Sequence, residues 1–134
     1  MIKEYTALGL MSGTSGDGVD ASVIVSDGDN TYRVIKDKYF KYNQAIFEDI
    51  HDLKDKLTTI KDIEKNIVNI KELEKKITLF HAQVVKELSQ NYKFELVGFH
   101  GQTIYHNAKE KISKQLGNGP LLSQLTKKKV VYNF

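Results

Sequence analysis

Apolar and polar positions alternate through the first forty or so residues and then shift to a helical period. Tyr5–Met11 and Val19–Ser26 both read as strands, with a glycine-rich stretch between them. Asp27-Gly28-Asp29-Asn30 is a turn signal, and Thr31–Tyr42 has the spacing of a third strand. Three antiparallel strands are therefore expected to lead the chain. Asn43 is placed to cap a helix running to Leu57, with Ile46, Phe47, Ile50 and Leu53 on one face. Thr59-Ile60-Lys61-Asp62 fits a capping box. Beyond it, Ile60, Ile63, Ile67, Ile70, Ile77, Phe80, Val84 and Leu88 predict one long amphipathic face. Packing of that face on the sheet is preferred to a free coiled coil.

Phe94–Phe99 is a short continuous apolar run, as expected of a buried strand. The polar stretch His100-Gly101-Gln102-Thr103 interrupts it, and Asn107–Glu110 reads as a turn. Ile112–Leu116 is a further short strand, Pro120 opens a small helix to Thr126, and Val130–Phe134 is a closing strand. This order predicts an α/β fold with a mixed sheet and helices on at least one face. No repeat or low-complexity linker is visible, and 134 residues suit one domain with a real core.

Composition narrows the classes. Hydrophobic residues make up 40% and charged residues 28%, which argues against wholesale disorder. Twenty Lys+Arg against 17 Asp+Glu leave a net charge of only +3, and no basic patch is interleaved with aromatics. A nucleic-acid partner is not expected. Without cysteine there is no disulfide, thiolate metal site or cysteine nucleophile. No segment approaches the roughly 20 apolar residues of a membrane span, and the N-terminus lacks a signal-peptide pattern. No membrane partner and a cytoplasmic location are the expectations.

Two stretches carry chemistry. Gly9–Ala21 reads GLMSGTSGDGVDA, and a glycine-rich loop between strands can aim successive backbone N–H groups at an anion. Ser12, Thr14 and Ser15 add hydroxyls, while Asp17 or Asp20 could orient a hydrated Mg²⁺. No Gly-Lys-Ser/Thr follows, and no helix begins after the glycines, so neither standard nucleotide fingerprint fits. A structural turn and a phosphate loop both stay open on these residues alone. The second stretch, GFHGQTIYH, places His100 and His106 six residues apart with no third metal ligand nearby. His106 reads as a surface residue, and His51 and His81 as surface or core positions on helices. Gln102 and Thr103 offer donors and acceptors suited to hydroxyl-rich ligands such as sugars.

Together these stretches resemble the anhydro-N-acetylmuramic acid kinases. That family carries a G-x-M-S-G-T-S-x-D-G-x-D loop, matched at every fixed position by Gly9–Asp20, and a G-x-H-G-Q-T-x-x-H segment, matched by Gly98–His106. A later Q-I-G stretch and V-V-x-D-F strand resemble Gln115-Leu116-Gly117 and Val130–Phe134, with Asn133 in place of the aspartate. The family usually has a bulky apolar residue where this chain has Gly16, so Gly16→Leu is expected to tighten the loop.

The resemblance implies the N-terminal part of an actin-like, sugar-kinase (ribonuclease H-like) ATPase lobe. The implied cofactors are ATP and Mg²⁺. Gly13, Thr14, Ser15, Gly16, Asp17, Gly18, Val19 and Asp20 would hold the nucleotide phosphates, with Asp17 placing Mg²⁺. His100, Gln102 and Thr103 would face an anhydro amino sugar. The implied activity is phosphorylation of 1,6-anhydro-N-acetylmuramic acid with hydrolytic opening of its anhydro ring, in peptidoglycan recycling. No catalytic base is assigned here, because the resemblance puts that aspartate beyond residue 134. Residues 1–134 are thus expected to be a partial lobe with little activity alone, and a second chain carrying the missing lobe is an expected partner. The alternative expectation is a non-catalytic phosphate-binding module or a degenerate remnant.

Overall fold

A computed structural model describes residues 3–134. Strand β1 (Tyr5–Ser12) pairs antiparallel with β2 (Gly18–Ser26), and β2 with β3 (Tyr32–Lys41). The turn between β2 and β3 forms because the Asp27 carboxylate accepts the N–H groups of Asp29, Asn30 and Thr31 at 2.9, 3.0 and 3.1 Å. These bonds, the one from Thr31 first, hold its pKa below the usual carboxylate value. Helix α1 (Gln44–Lys56) starts where Asn43 Oδ1 accepts the Ile46 N–H at 2.9 Å.

Short helix α2 (Ile60–Lys65) and long helix α3 (Ile67–Ser89) follow. The single amphipathic run expected from Ile60 to Leu88 is therefore broken. Asn66 departs from helical geometry at φ −108° and ψ 18°, and its Nδ2 donates to the Asp62 carbonyl at 2.8 Å beside its own N–H at 3.1 Å. Ile60 and Ile67 stay exposed, and the buried stripe begins at Ile70.

Strand β4 (Leu96–Asn107) is central. It runs parallel to β1 and to β6 (Lys129–Tyr132), then antiparallel to β5 (Ile112–Leu116). Helix α4 (Gly119–Thr126), capped by Asn118 Oδ1 on the Leu121 N–H at 3.0 Å, links β5 to β6. The sheet order is β3-β2-β1-β4-β5, with β6 also on β4. The mixed sheet is as expected, with the β4–β5 pair an antiparallel pairing beyond the three leading strands.

The strand expected to stop near Phe99 in fact continues for eight more residues. Two register shifts make this possible, one opposite Leu10/Ser12 and one between Thr103 and Tyr105. Gly101, at φ +84°, lies in the first, a backbone state that favours glycine. The bulges break the in–out alternation, so Gly101 to Tyr105 are all buried. Leu8, Leu10, Val19, Ala21, Val23, Val97 and Phe99 form the sheet side of the core, packed with Ile50, Ile77, Val85 and Leu122. On the opposite face, Met11, Leu96 and Val131 are exposed.

Candidate functional site

The loop from Gly13 to Asp17 leaves the carboxyl end of β1, a position where open α/β sheets receive ligands. Its acceptors and donors are sorted. Gly13 O accepts from Gln102 Nε2 at 2.7 Å and from Gly16 N at 3.2 Å. Thr14 O accepts from the Lys54 ammonium, and Asp17 O from Tyr42 N at 2.9 Å. Among the described residues, the N–H groups of Thr14, Ser15 and Asp17 and the hydroxyls of Thr14 and Ser15 take no partner within the chain. Three of the five loop carbonyls, those of Gly13, Thr14 and Asp17, are thus held by the protein, while the amides of Thr14, Ser15 and Asp17 are unclaimed.

Gly16 is buried at φ +68° against α1. A β-carbon there would come within 3.0 Å of Ile50 Cγ2 and 3.3 Å of His51 Nε2. The expectation that Gly16→Leu tightens the loop is therefore reversed: in this chain α1 side chains fill the space an apolar residue would need.

Beneath the loop lies a buried polar network. His81 is fully buried on α3, and its Nδ1 lies 2.7 Å from the Ile77 carbonyl, which makes that nitrogen the donor. Nε2 is then an acceptor, 3.1 Å from Ser12 Oγ. Tyr42 Oη lies 3.1 Å from both Ser12 Oγ and Gln102 Oε1. Burial pushes the His81 pKa down to about 4 and the Tyr42 pKa up to about 12, so both are neutral at pH 7. The Ser12 hydroxyl, counted from the sequence among ligand donors, is consumed inside the fold.

The sequence candidates separate. Thr14, Ser15, Asp17 and Asp20 are exposed, whereas Gly16, Gly18 and Val19 are buried, so Val19 supports the loop by packing. Asp17 borders a pocket of about 430 Å³ with Tyr39, Tyr42, Gln44 and Phe47. Desolvation, then the negative charges of Asp17 and Asp20, raise the Tyr39 pKa. Among the described residues no three carboxylates or histidines gather as a metal cage. The Asp17 and Asp20 carboxylates are both exposed and both act on Tyr39.

Gln102 is fully buried, its amide donating to Gly13 O and, at 3.1 Å, to Thr103 O. Thr103 is buried, and its Oγ1 lies 3.4 Å from Gln115 Nε2. His100 lines a different pocket of about 490 Å³, together with Glu74, Gln115, Tyr132 and Phe134. Its Nδ1–H donates to Gly101 O at 3.1 Å. Of the three sugar-side candidates, only Gln102 bonds the loop directly. Tyr42, Lys54 and the ligation of His81 were missed, since their partners lie 30 to 69 residues away in sequence. Only the apolar neighbours around His81 hinted at its burial.

The chain matches the sequence profile of the anhydro-N-acetylmuramic acid kinase family over residues 5–134. It is 60% identical over 136 residues to an anhydro-N-acetylmuramic acid kinase of Pelagibacter ubique, covering 100% of this chain and 36% of that relative. A protein of the same name from Agrobacterium fabrum is 35% identical over 133 residues, with 96% of this chain and 36% of the relative covered. One from Brucella canis is 33% identical over 132 residues, with 95% and 35% covered. The chain therefore spans little more than a third of the length of these relatives.

Proposed function

The chain belongs to the anhydro-N-acetylmuramic acid kinase family, and from that premise we propose that Gly13–Asp20 receives the phosphates of ATP. The reaction served is phosphoryl transfer to 1,6-anhydro-N-acetylmuramic acid, in cytoplasmic recycling of peptidoglycan fragments. Water opens the anhydro bridge, and the freed 6-hydroxyl takes the γ-phosphoryl group, giving ADP and N-acetylmuramic acid 6-phosphate. One observation carries the reading: the Gly13, Thr14 and Asp17 carbonyls are bonded to the protein, while the N–H groups of Thr14, Ser15 and Asp17 are unclaimed within the chain. Such amides supply fixed donors to phosphate oxygens without adding a competing charge.

On this reading Thr14 and Ser15 add hydroxyl donors, and Asp17 holds Mg²⁺ through water. The metal, when bound, neutralises charge on the phosphate oxygens. His100, Gln102 and Thr103 are the sugar-side candidates, and of these His100 has the side chain that lines an open pocket. The base that activates water is assigned to the part of the relatives' length that this chain does not span.

Calorimetric titration with Mg·ATP tests the loop. The expected result is binding that weakens about tenfold or more in Asp17→Ala; a wild-type chain that binds no Mg·ATP overturns the reading. A second reading, a phosphate-binding module without turnover, draws on the same unclaimed loop donors and asks for no catalytic base. Adding a polypeptide equivalent to the remainder of that relative separates the two. Phosphorylated sugar is expected from the kinase reading, and an inactive stable complex that still binds ATP supports the module.

A further inference from the structure

The buried polar side chains under the loop are costly unless they perform a task. Ser12 and His81 are 1% and 0% exposed, and Gln102 is 0%. An apolar set of the same shape would avoid desolvating three polar side chains and the Tyr42 hydroxyl. Their contacts converge on one place. His81 fixes Ser12 at the end of β1, Tyr42 bridges Ser12 to Gln102, and Gln102 holds the Gly13 carbonyl. Tyr42 grips the same loop at its other end, where its backbone N–H donates to Asp17 O.

Proton counting shows how directional the arrangement is. The Ile77 carbonyl takes the Nδ1 proton of His81, and His81 Nε2 takes the Ser12 proton. The Tyr42 hydroxyl alone then serves Ser12 Oγ and Gln102 Oε1, since neither of those oxygens has a proton to offer back. The Gly13 and Thr103 carbonyls, which can only accept, fix the Gln102 amide nitrogen towards them and leave Oε1 to the Tyr42 hydroxyl. A flipped amide would set its oxygen against the Gly13 and Thr103 carbonyls, acceptor against acceptor.

We infer that Gln102, Tyr42, Ser12 and His81 are positioning residues that set the direction of the loop's free amides from beneath. The inference rests on the phosphate-loop reading for its purpose, but its physical content, a loop stiffened through Gly13 and Asp17, stands apart from the ligand. The network gathers β1, β4, α3 and the β3–α1 junction onto one loop. Movement of any of these elements therefore changes how the loop presents its donors.

The test uses two variants and a control. Tyr42→Phe removes one hydroxyl and keeps the ring that packs edge-on to Phe80 at 4.9 Å. Gln102→Met keeps a side chain of similar length but loses the donor to Gly13 O. Leu122→Ala is a core change on α4 outside the network. Backbone ¹⁵N relaxation of residues 13–17, thermal unfolding and the Kd for Mg·ATP are measured for each. Both network variants are expected to lower the order parameters of Thr14–Asp17 and to weaken Mg·ATP binding roughly tenfold. The Leu122 variant is expected to lose thermal stability with both loop readouts unchanged. Unchanged loop order in both network variants overturns the inference, as does an equal loss of affinity in Leu122→Ala. Loop loosening in a chain whose wild type binds no Mg·ATP supports the network and counts against the phosphate reading.

Discussion

Gly16 and His81 show what single residues contribute around the loop. At Gly16, φ is +68° and Ile50 closes the space above the α-carbon. Gly16→Leu must accept a left-handed backbone and displace α1, a cost on the order of 2 kcal/mol or more. Urea unfolding is expected to show that loss, and a stability equal to wild type would mean α1 yields easily. At His81, burial lowers the folded-state pKa from 6.5 to about 4. Between these values the unfolded chain binds the proton and the folded chain does not. Stability is therefore full above about pH 6.5 and declines as pH falls towards 4, by an amount on the order of 3 kcal/mol. A stability profile flat from pH 7 to 4.5 would show that His81 charges readily in the fold. Asp62 acts lower: the Thr59 N–H first, then the Thr58 hydroxyl, hold its pKa near 2. Its contribution is present above about pH 4 and fades as pH falls towards 2.

Helix starts and strand pairings carry different amounts of local information. The caps at Asn43 and Asn118 were written in short-range chemistry, one side-chain oxygen on an N–H three residues ahead. Asn43→Ala is expected to cost about 1 kcal/mol, read by denaturant midpoint, without loosening β1. The first capping was legible in sequence, as were β1, β2 and the Asp27 turn, because period and turn chemistry are local. The break at Asn66 was not, since Ile63 and Ile67 keep helical spacing through it. Nor was the course of β4. His100–Thr103 looked like an interruption because polar residues rarely continue an apolar strand. Two bulges and a change of partners from β1 and β6 to β5 keep it extended, and those depend on residues far away in sequence.

For the molecule as a whole, the candidate site was half legible. Clustered glycines, hydroxyls and aspartates marked the loop, and its upper surface bears Thr14, Ser15 and Asp17 as that pattern suggested. The supporting half was invisible, since Ser12 and His81 meet across 69 residues and Tyr42 and Gln102 across 60. Residue type alone marked Gln102 as a donor and acceptor; it did not foretell its burial or the bonds of its amide to Gly13 O and Thr103 O. Loop and frame together leave the amides of Thr14, Ser15 and Asp17 unclaimed within the chain at the carboxyl end of β1. The most direct measurement is an amide ¹H–¹⁵N shift titration of this chain with Mg·ATP. The largest changes are expected at Thr14, Ser15 and Asp17, saturating together with one affinity. A spectrum that stays unchanged at these three amides, or shifts only elsewhere, would contradict the phosphate loop.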